Sequence, residues 1–570
     1  MQKEWVIKPE SNQAIVEKLA NDINVSIAIA KLLVQRNITT YDQAKSFFRP
    51  NLDDLHDPFL MKDMQIAVDR IKKAISNKEK VMVYGDYDVD GTTSVALMYS
   101  FLKDKIENLE YYIPNRYKEG YGISTQGIDY ANEINCSLII ALDCGIKAVD
   151  KIDYANSINI DFIIVDHHEA GDKVPNAVAV LDPKQTDCPY PFKELSACGV
   201  GFKLIQAFSQ QTNIDFSSIL NYLDLVVVSI ASDIVPVVNE NRILAYYGLK
   251  QLNSNPRKGL KSIMDIANIE LGTLKVSDLV FKIGPRINAA GRMDQGSFAV
   301  DILVSESEDN LPDMAIQIDA DNNDRKLFDS NITKEAIAKI QNNQELINKK
   351  STVLYNPDWH KGVIGIVASR LIDQFYKPTI ILAKSNGLIT GSARSVKGFN
   401  IYKAISKCEH LLEKFGGHMY AAGLSLKEEN LEAFVTEFEK TVSEMIQPES
   451  ETPCIDVDAV IQLNDIKPKF FNLLKQFEPF GPGNMSPVFI SKQVFDTGYG
   501  KTVGAGNEHI KLYLKDDSTQ QSFSAIAFQQ AQHFNDISNG NKFDVCYSIE
   551  ENTFKGKTTI QVRIRDIIVP

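Results

Sequence analysis

Asp86, Asp88 and Asp90 stand at alternate positions in VMVYGDYDVDGTTS, between a short apolar run at Val81–Val83 and an apolar stretch that opens at Val95. Three carboxylates within five residues repel one another, so a fold that gathers them needs cations to offset the cost. Hard oxygen donors of this kind suit Mg²⁺ or Mn²⁺. An isolated D-x-D is more often a solvated acidic turn, but two further stretches end in the same way. LIIALDCG places Asp143 after an apolar run, and FIIVDHHE places Asp166, His167 and His168 after another. Imidazole beside carboxylate favours Mn²⁺ or a related ion over Ca²⁺. Neighbouring side chains on extended backbone diverge, so the two histidines are expected to differ in role, one on metal and one facing substrate. Asp233 ends an apolar stretch whose Leu223, Val226, Val227 and Ile230 have helical spacing. The donors are enough for two ions about 3.5–4 Å apart, which activate water for in-line attack on phosphorus. Asp143, central in order, is the expected bridge. No GxxxxGK[ST] or GxGxxG loop is present, so nucleotide-driven work and dinucleotide redox chemistry lack support.

Acids so far apart in sequence need a scaffold that brings strand ends together. From Val81 the pattern alternates strand and helix, which implies a mostly parallel sheet with covering helices. Expected strands are Val81–Tyr84, Tyr111–Ile113, Leu138–Leu142 and Phe162–Val165, with helices at Thr125–Ile134 and Ala148–Asn156. In open α/β sheets ligands bind beyond the carboxyl ends of the strands, so acidic ends on one edge converge. Leu311–Lys349 reads as a long polar helix that bridges domains. The alternation restarts at Thr352–Tyr355, with a helix at Val363–Phe375, a strand at Thr379–Leu382 and a helix at Ile401–Phe415. After the polar linker QPESETP come short strands and turns. The expected organisation is an N-terminal helical segment (1–75), an α/β domain (76–310), a connecting helix (311–350), a second α/β domain (351–446) and an all-β module (452–570).

The 570 residues suffice for about three or four domains at roughly 150 residues each. No run approaches the roughly 20 apolar residues of a membrane span, and the N-terminus has no apolar signal core. Seven scattered cysteines without a CxxC pair disfavour a disulfide framework or zinc ribbon and fit a reducing cytoplasm. The net charge of −13 argues against nonspecific coating of nucleic acid but not against a local basic channel. The all-β module is nearly neutral, with 12 Lys and Arg against 13 Asp and Glu. In it Lys511, Tyr513 and Lys515 alternate with Ile510, Leu512 and Leu514, and Gln561, Arg563 and Arg565 alternate with Ile560, Val562 and Ile564. A period of two puts each polar set on one face, the basic and aromatic surface that binds single strands. Lysines that merely protect an exposed sheet from aggregation are the plainer alternative.

GDYDVDGTTS, LDCG, VDHHE and ASDIVP, in this order, resemble the four motifs of the DHH phosphoesterase superfamily, and WHKGVIGIVASRL, GSARS and GGHMYAAG resemble its companion DHHA1 domain. IPNRYKEGYG and FKIGPRINAAGRMD are similar to one branch, the bacterial RecJ single-strand-specific exonucleases. The resemblance implies an OB fold at the C-terminus and Mn²⁺- or Mg²⁺-supported 5′→3′ degradation of single-stranded DNA to mononucleotides, in repair and recombination. It implies a metal shell of Asp86, Asp88, Asp90, Asp143, His167 and Asp233, of which one motif-one aspartate can instead support the others. His168 would face the scissile phosphate and Asp166 would orient the histidines. For DNA phosphates it implies Arg116, Arg286, Asn288, Arg292, Arg370, Ser392, Arg394 and His418, and for the strand on the OB face Lys511, Tyr513, Arg563 and Arg565. Any one arginine in an acidic protein more often pairs with a surface carboxylate; guanidinium forks on phosphate are the sharper reading. A monomer with no membrane partner is expected, beside a single-strand-binding protein and a helicase. Weaker readings are a small-substrate DHH phosphoesterase, of oligoribonuclease or cyclic-dinucleotide type, and a strand-binding scaffold without activity.

Overall fold

Three apolar runs, VMVYG, LIIAL and DFIIV, form neighbouring parallel strands, buried throughout except at Asp161. Parallel strands covered on both faces read as continuous apolar runs for this reason. The structure is a computed structural model that describes residues 3–116, 118–292, 296–538, 540–554 and 556–569. The chain divides into two compact units.

The first unit comprises Lys45–Arg325 and Phe477–Met485. Its sheet contains β1 (Val81–Gly85), β2 (Leu109–Tyr112), β3 (Leu138–Leu142), β4 (Asp161–Val165) and β5 (Ala179–Leu181). All pairings are parallel, in the order β2-β1-β3-β4-β5. The chain steps from β1 outward to β2 and then back across to β3, so the order reverses between β1 and β3. That switch point is where such sheets open a crevice beyond their strand ends. Alternate side chains go to opposite cores. Val81, Val83, Ile140, Leu142 and Ile163 pack with α1 (Val89–Leu102), α2 (Ala197–Thr212) and α3 (Leu223–Ser232), while Met82, Tyr84, Ile139, Phe162 and Ile164 pack with Ile128 and Ile152. Beyond α3 lies α4 (Asn239–Ser254), and α5 spans Gly284–Arg292.

The second unit comprises Met1–Ala44, Lys326–Gln476 and Ser486–Pro570. Its five-stranded sheet is built from β6 (Thr352–Tyr355), β7 (Thr379–Ser385), β8 (Leu388–Arg394), β9 (Lys414–His418) and β10 (Ala421–Leu426), in the order β9-β10-β8-β7-β6. Only the β6–β7 pair is parallel. The expected helix over Ile401–Phe415 ends at Lys407, and Lys414 already belongs to β9. Two adjacent glycines, Gly416 and Gly417, suit the hairpin and not a helix.

The C-terminal strands β11 (Phe489–Asp496), β12 (His509–Lys515), β13 (Phe523–Ala527), β14 (Phe543–Phe554) and β15 (Lys557–Ile568) pair in the order β11-β14-β15-β13-β12. A further β11–β12 pairing closes them into a five-stranded barrel. Glu4–Ile7 runs parallel to Cys454–Val457, so the first residues of the chain are strand as well as helix. The expected connecting helix is α6 (Leu311–Gln341) followed by a short separate helix, Gln344–Asn348, and the boundary between units falls inside α6 at Lys326. No helix among the described residues is long and apolar enough to cross a membrane.

Candidate metal centre

Asp86 follows β1 directly, Asp143 follows β3 and Asp166 follows β4, so three acids line adjacent strand ends at the switch point. The turn after β1 is tight: a Cβ on Gly91 would lie 2.3 Å from the Asp86 carbonyl oxygen, so only glycine fits there. Asp88 caps α1, its Oδ1 accepting from the Gly91 amide at 3.0 Å. Asp90 is drawn inward. Its Oδ2 accepts from the Ala197 amide (2.9 Å), and its Oδ1 from the Cys198 amide (3.0 Å) and the Ser229 hydroxyl (2.7 Å). The two amides are the exposed donors at the start of α2, whose dipole favours a carboxylate. Asp143 sits in left-handed backbone (φ 61°), a strain of about 1 kcal/mol that a fold sustains where a side chain must be aimed. Asp233 caps the C-terminus of α3, before Ile234, which is also left-handed (φ 62°).

His167 Nδ1 lies 3.1 Å from the Leu195 carbonyl oxygen. A carbonyl only accepts, so the proton is assigned to Nδ1 and Nε2 presents a lone pair. That nitrogen lies 3.3 Å from Asp143 Oδ1, 3.6 Å from Asp233 Oδ2 and 3.7 Å from Asp90 Oδ2. His167 Nε2, Asp143 Oδ1 and Asp86 Oδ2 are buried without a hydrogen-bond partner among the described residues. Burial, then the charges of Asp88, Asp90, Asp233 and Asp86, push the Asp143 carboxyl well above the usual carboxylate range. Burial and Asp88 do the same to Asp86, and burial with Asp90 and Asp88 to Asp233. Burial pulls His167 down, which keeps its imidazole neutral. Lone pairs facing lone pairs, with no donor between them, fit divalent cations. Among the described residues two donor groups have ligand atoms within 4.8 Å of one another: Asp143 with His167 and His168, and Asp90 with His167 and Asp233. The side chain common to both is His167, not the expected bridge Asp143. One imidazole lone pair cannot serve two ions, so a bridge still requires a carboxylate.

Asp166 accepts from Ile146 N at 2.9 Å through Oδ2, and from His167 N (2.8 Å), His168 N (3.2 Å) and the His168 ring through Oδ1. Burial raises its pKa, but the bond and charge of His168 and the Ile146 amide prevail and bring it to about 2. His168 Nδ1 is 2.8 Å from that carboxylate. Burial lowers its pKa, but Asp166, Asp233 and Asp88 outweigh this and lift it to about 9. The two histidines differ in electrostatic surroundings, but their rings do not point apart as expected of neighbours on extended backbone: they pack edge to face with centroids 4.7 Å apart. Sequence reasoning missed two neighbours. Tyr121 places its hydroxyl 3.2 Å from His168 Nε2, and nothing in its spacing marks it. Asp182 ends β5, buried with Oδ2 unpartnered, a fourth acidic strand end legible in VAVLD as in LIIALD.

The basic residues separate into two sets. Arg116 lies 5.0 Å over the Tyr87 ring and draws the Asp86 pKa down, so it belongs to the centre. Arg286, expected on phosphate, instead pairs with Asp319 at 2.8–2.9 Å and donates to the Lys282 carbonyl. Asn288 is half-buried on α5, and the Arg292 side chain lies outside the described residues. In the second unit Arg370 is likewise committed, 2.6 Å from the fully buried Asp329. Arg394 is different. Among the described residues it donates only to the Ser392 hydroxyl (3.2 Å) and the Ala393 carbonyl (2.8 Å), and burial alone lowers its pKa. A Cβ on Gly365, in the first turn of α7 (Ile364–Phe375), would lie 2.8 Å from Ser392 Oγ and 2.9 Å from Arg394 Nη2, so helix start, hydroxyl and guanidinium adjoin. Burial and the charge of Arg394 lower the His418 pKa.

On the barrel Lys511 faces Ile526 and Ile526 faces Arg563, which puts both cations in one row across β12, β13 and β15. Tyr513 and Lys515 share the Lys511 face, opposite the buried Ile510, Leu512 and Leu514. Arg565 stands where the β14–β15 register shifts, past the end of the β13–β15 pairing, and burial lowers its pKa. Gln561, expected outside, is buried and reaches Ser524. Tyr499, 76% exposed, adjoins Tyr513, and Phe528 lies 5.4 Å beneath Arg563; neither aromatic follows from the alternation.

A parallel sheet with acids and histidines at its switch point, followed by a mixed sheet and a closed barrel, is the layout of a DHH-type phosphoesterase. The family model for the DHH family N-terminal domain matches residues 80–230, that for the DHHA1 domain 348–444 and that for the RecJ OB domain 457–566. The chain is 35% identical to the single-stranded-DNA-specific exonuclease RecJ of Bacillus subtilis (strain 168) over 568 residues, 99% of this chain and 71% of that protein. It is 31% identical to the enzyme of that name in Haemophilus influenzae over 540 residues, 91% and 92% of the two chains. The crystal structure of RecJ in complex with Mn²⁺ from Thermus thermophilus shares the fold, with a TM-score of 0.85 at 23% identity over 100% of this chain and 80% of that one; the same protein is also known with Mg²⁺. The chain belongs to the RecJ family of single-stranded-DNA-specific exonucleases.

Proposed function

We propose that the chain is a metal-dependent exonuclease that hydrolyses single-stranded DNA from the 5′ end to mononucleotides. The observation that carries this is the unpartnered His167 nitrogen facing Asp90, Asp143 and Asp233, in a chain of this family. Asp86, Asp88, Asp90, Asp143, His167 and Asp233 are the residues that would hold two Mn²⁺ or Mg²⁺ ions. Bound there, divalent ions lower the pKa of water and offset charge developing at phosphorus. His168, its Nδ1 held by Asp166 and its ring partly open to solvent, donates to a phosphate oxygen. Asp166 stays ionised and fixes that ring. Arg116 binds phosphate beside Asp86, and Arg394 with Ser392 and His418 binds it in the second unit. Polarity, a role in repair and recombination, a monomeric state and action beside a single-strand-binding protein and a helicase rest on the family resemblance. Seven free thiols, six of them buried, support a cytoplasmic location.

The test is a single-stranded oligonucleotide labelled at either end, with Mn²⁺, Mg²⁺ or chelator. Mononucleotides released from the 5′ end only with metal are expected; equal attack on dinucleotides alone would favour the small-substrate reading. Arg394→Ala is expected to raise the KM for the oligonucleotide by about tenfold with a smaller change in kcat, the loss of one charge-assisted fork of roughly 1.5 kcal/mol. An unchanged KM in steady-state kinetics would remove Arg394 from the binding surface. Replacing Lys511 and Arg563 together by alanine is expected to reduce the slope of log affinity against log salt by about 1.4, near 0.7 for each phosphate contact on a single strand. Parallel salt dependences for parent and variant would leave the barrel face without a role.

A further inference from the structure

Residues 477–485 belong to the first unit although the residues on both sides of them belong to the second. The segment, FEPFGPGNM, is held by backbone contacts. Arg242, only 4% exposed on the first turn of α4, donates from Nη1 to the Phe477 carbonyl (2.8 Å) and from Nη2 to the Glu478 carbonyl (3.1 Å), while Nε and Nη2 reach the Phe47 carbonyl. Asn484, also buried, donates to the carbonyls of Phe477 (2.8 Å) and Pro479 (3.0 Å). A buried guanidinium spent on carbonyls, with no carboxylate in these bonds, fixes a backbone path.

That path runs along the loop that leaves Asp233. The Val237 amide donates to the Pro482 carbonyl at 2.7 Å. A Cβ on Gly481 would lie 2.3 Å from Val237 Cγ2, and one on Gly483 2.9 Å from Val238 Cγ1. From the other side Asn241, next to Arg242, donates to the Pro236 carbonyl at 3.0 Å. Between these contacts and Asp233 lies Ile234, β-branched and left-handed, a conformation that persists only when the surroundings hold it.

We propose that the 477–485 segment, clamped by Arg242 and pressed against Val237, is a positioning element that sets the place of Asp233 and so the cation affinity of the Asp90, His167 and Asp233 group. The inference rests on the reading of Asp233 as a cation ligand. Partners that orient metal ligands typically govern about 10- to 100-fold in affinity. Gly481→Ala, which pushes Val237 aside, is therefore expected to weaken direct Mn²⁺ binding, read from the free-ion electron paramagnetic resonance signal of the full chain, by about tenfold. Gly481→Ala with Val237→Ala, which removes the opposing methyls, is expected to recover affinity to within about threefold of Val237→Ala alone. Arg242→Lys keeps the charge, loses the fork and shifts affinity the same way, so the question does not hang on one variant folding. Melting temperatures accompany each titration. A Gly481→Ala chain that melts lower yet binds Mn²⁺ as the parent does, or a double variant without recovery, overturns the inference. Asp233→Asn separates the two ideas: if it too leaves Mn²⁺ binding unchanged, the ligand reading itself has failed.

Discussion

An Asp143→Asn chain is expected to lose Mn²⁺-supported hydrolysis by at least about 10³-fold while, in chelator, melting higher than the parent, a gain on the order of 1 kcal/mol. Both effects come from the same burial. Asp143 is enclosed, its Oδ1 has no hydrogen-bond partner, and its charge stands against those of Asp88, Asp90, Asp233 and Asp86. Asparagine keeps the shape and removes the repulsion, but it offers a cation a neutral oxygen in place of an anion. The pH dependence follows from the raised pKa of the native carboxyl. A group that holds its proton more tightly when folded stabilises the fold below the ordinary carboxylate range, near pH 4, and that contribution is lost as pH rises through the native value. The melting advantage of the variant is therefore expected to widen from pH 5 to pH 8. Scanning fluorimetry in chelator at the two pH values, with a hydrolysis assay in Mn²⁺, reads both. A variant that keeps the parental rate, or melts lower at pH 8, contradicts the assignment.

Asp166→Asn is expected to reduce hydrolysis by about 10²- to 10⁴-fold, the range that a positioned proton donor commands, with Mn²⁺ binding close to the parent. The carboxylate accepts from Ile146, His167 and His168 backbone amides and from the His168 ring. An amide side chain has one oxygen for these donors and turns its own NH₂ toward the Ile146 amide, so one N–H is left opposed and the His168 ring loses its ionic partner. His168→Ala should match it, because both variants act through one ring. Metal titration alongside kinetics gives the decisive contrast: a parallel fall in Mn²⁺ affinity and rate would move Asp166 from the histidine to the cation site.

The site was legible in the sequence where one local pattern carried it. An apolar run ending in an acid marks a buried strand with its tip in the crevice, and β1, β3 and β4 are neighbours as that pattern requires. Helical spacing placed Asp233 at the end of α3. What sequence could not carry was pairing between distant elements. Arg286 and Asp319 are 33 residues apart, and Arg370 and Asp329 are 41, with no local mark of either pair. These two guanidiniums pair with carboxylates, the plainer fate of an arginine in an acidic chain, while Arg394 has no carboxylate partner among the described residues. The inward turn of Asp90 depends on the start of α2, more than 100 residues on, and the path of 477–485 depends on Arg242. The helix expected over Ile401–Phe415 stops at Lys407, and its last two expected residues belong to the strand Lys414–His418 that contains the glycine pair.

Asp90 differs from its neighbours in a way that matters for judging degenerate descendants of this enzyme. Its carboxylate closes the first turn of α2 and the Ser229 hydroxyl, work that continues whether or not any strand is ever cut. A lineage that abandoned catalysis would still be under pressure to keep a short acceptor at 90, while position 143, whose buried Oδ1 has no hydrogen-bond partner among the described residues, would drift to an uncharged residue. Survival of the acid at 90 is thus poor testimony of activity; survival of the acid at 143 is good testimony.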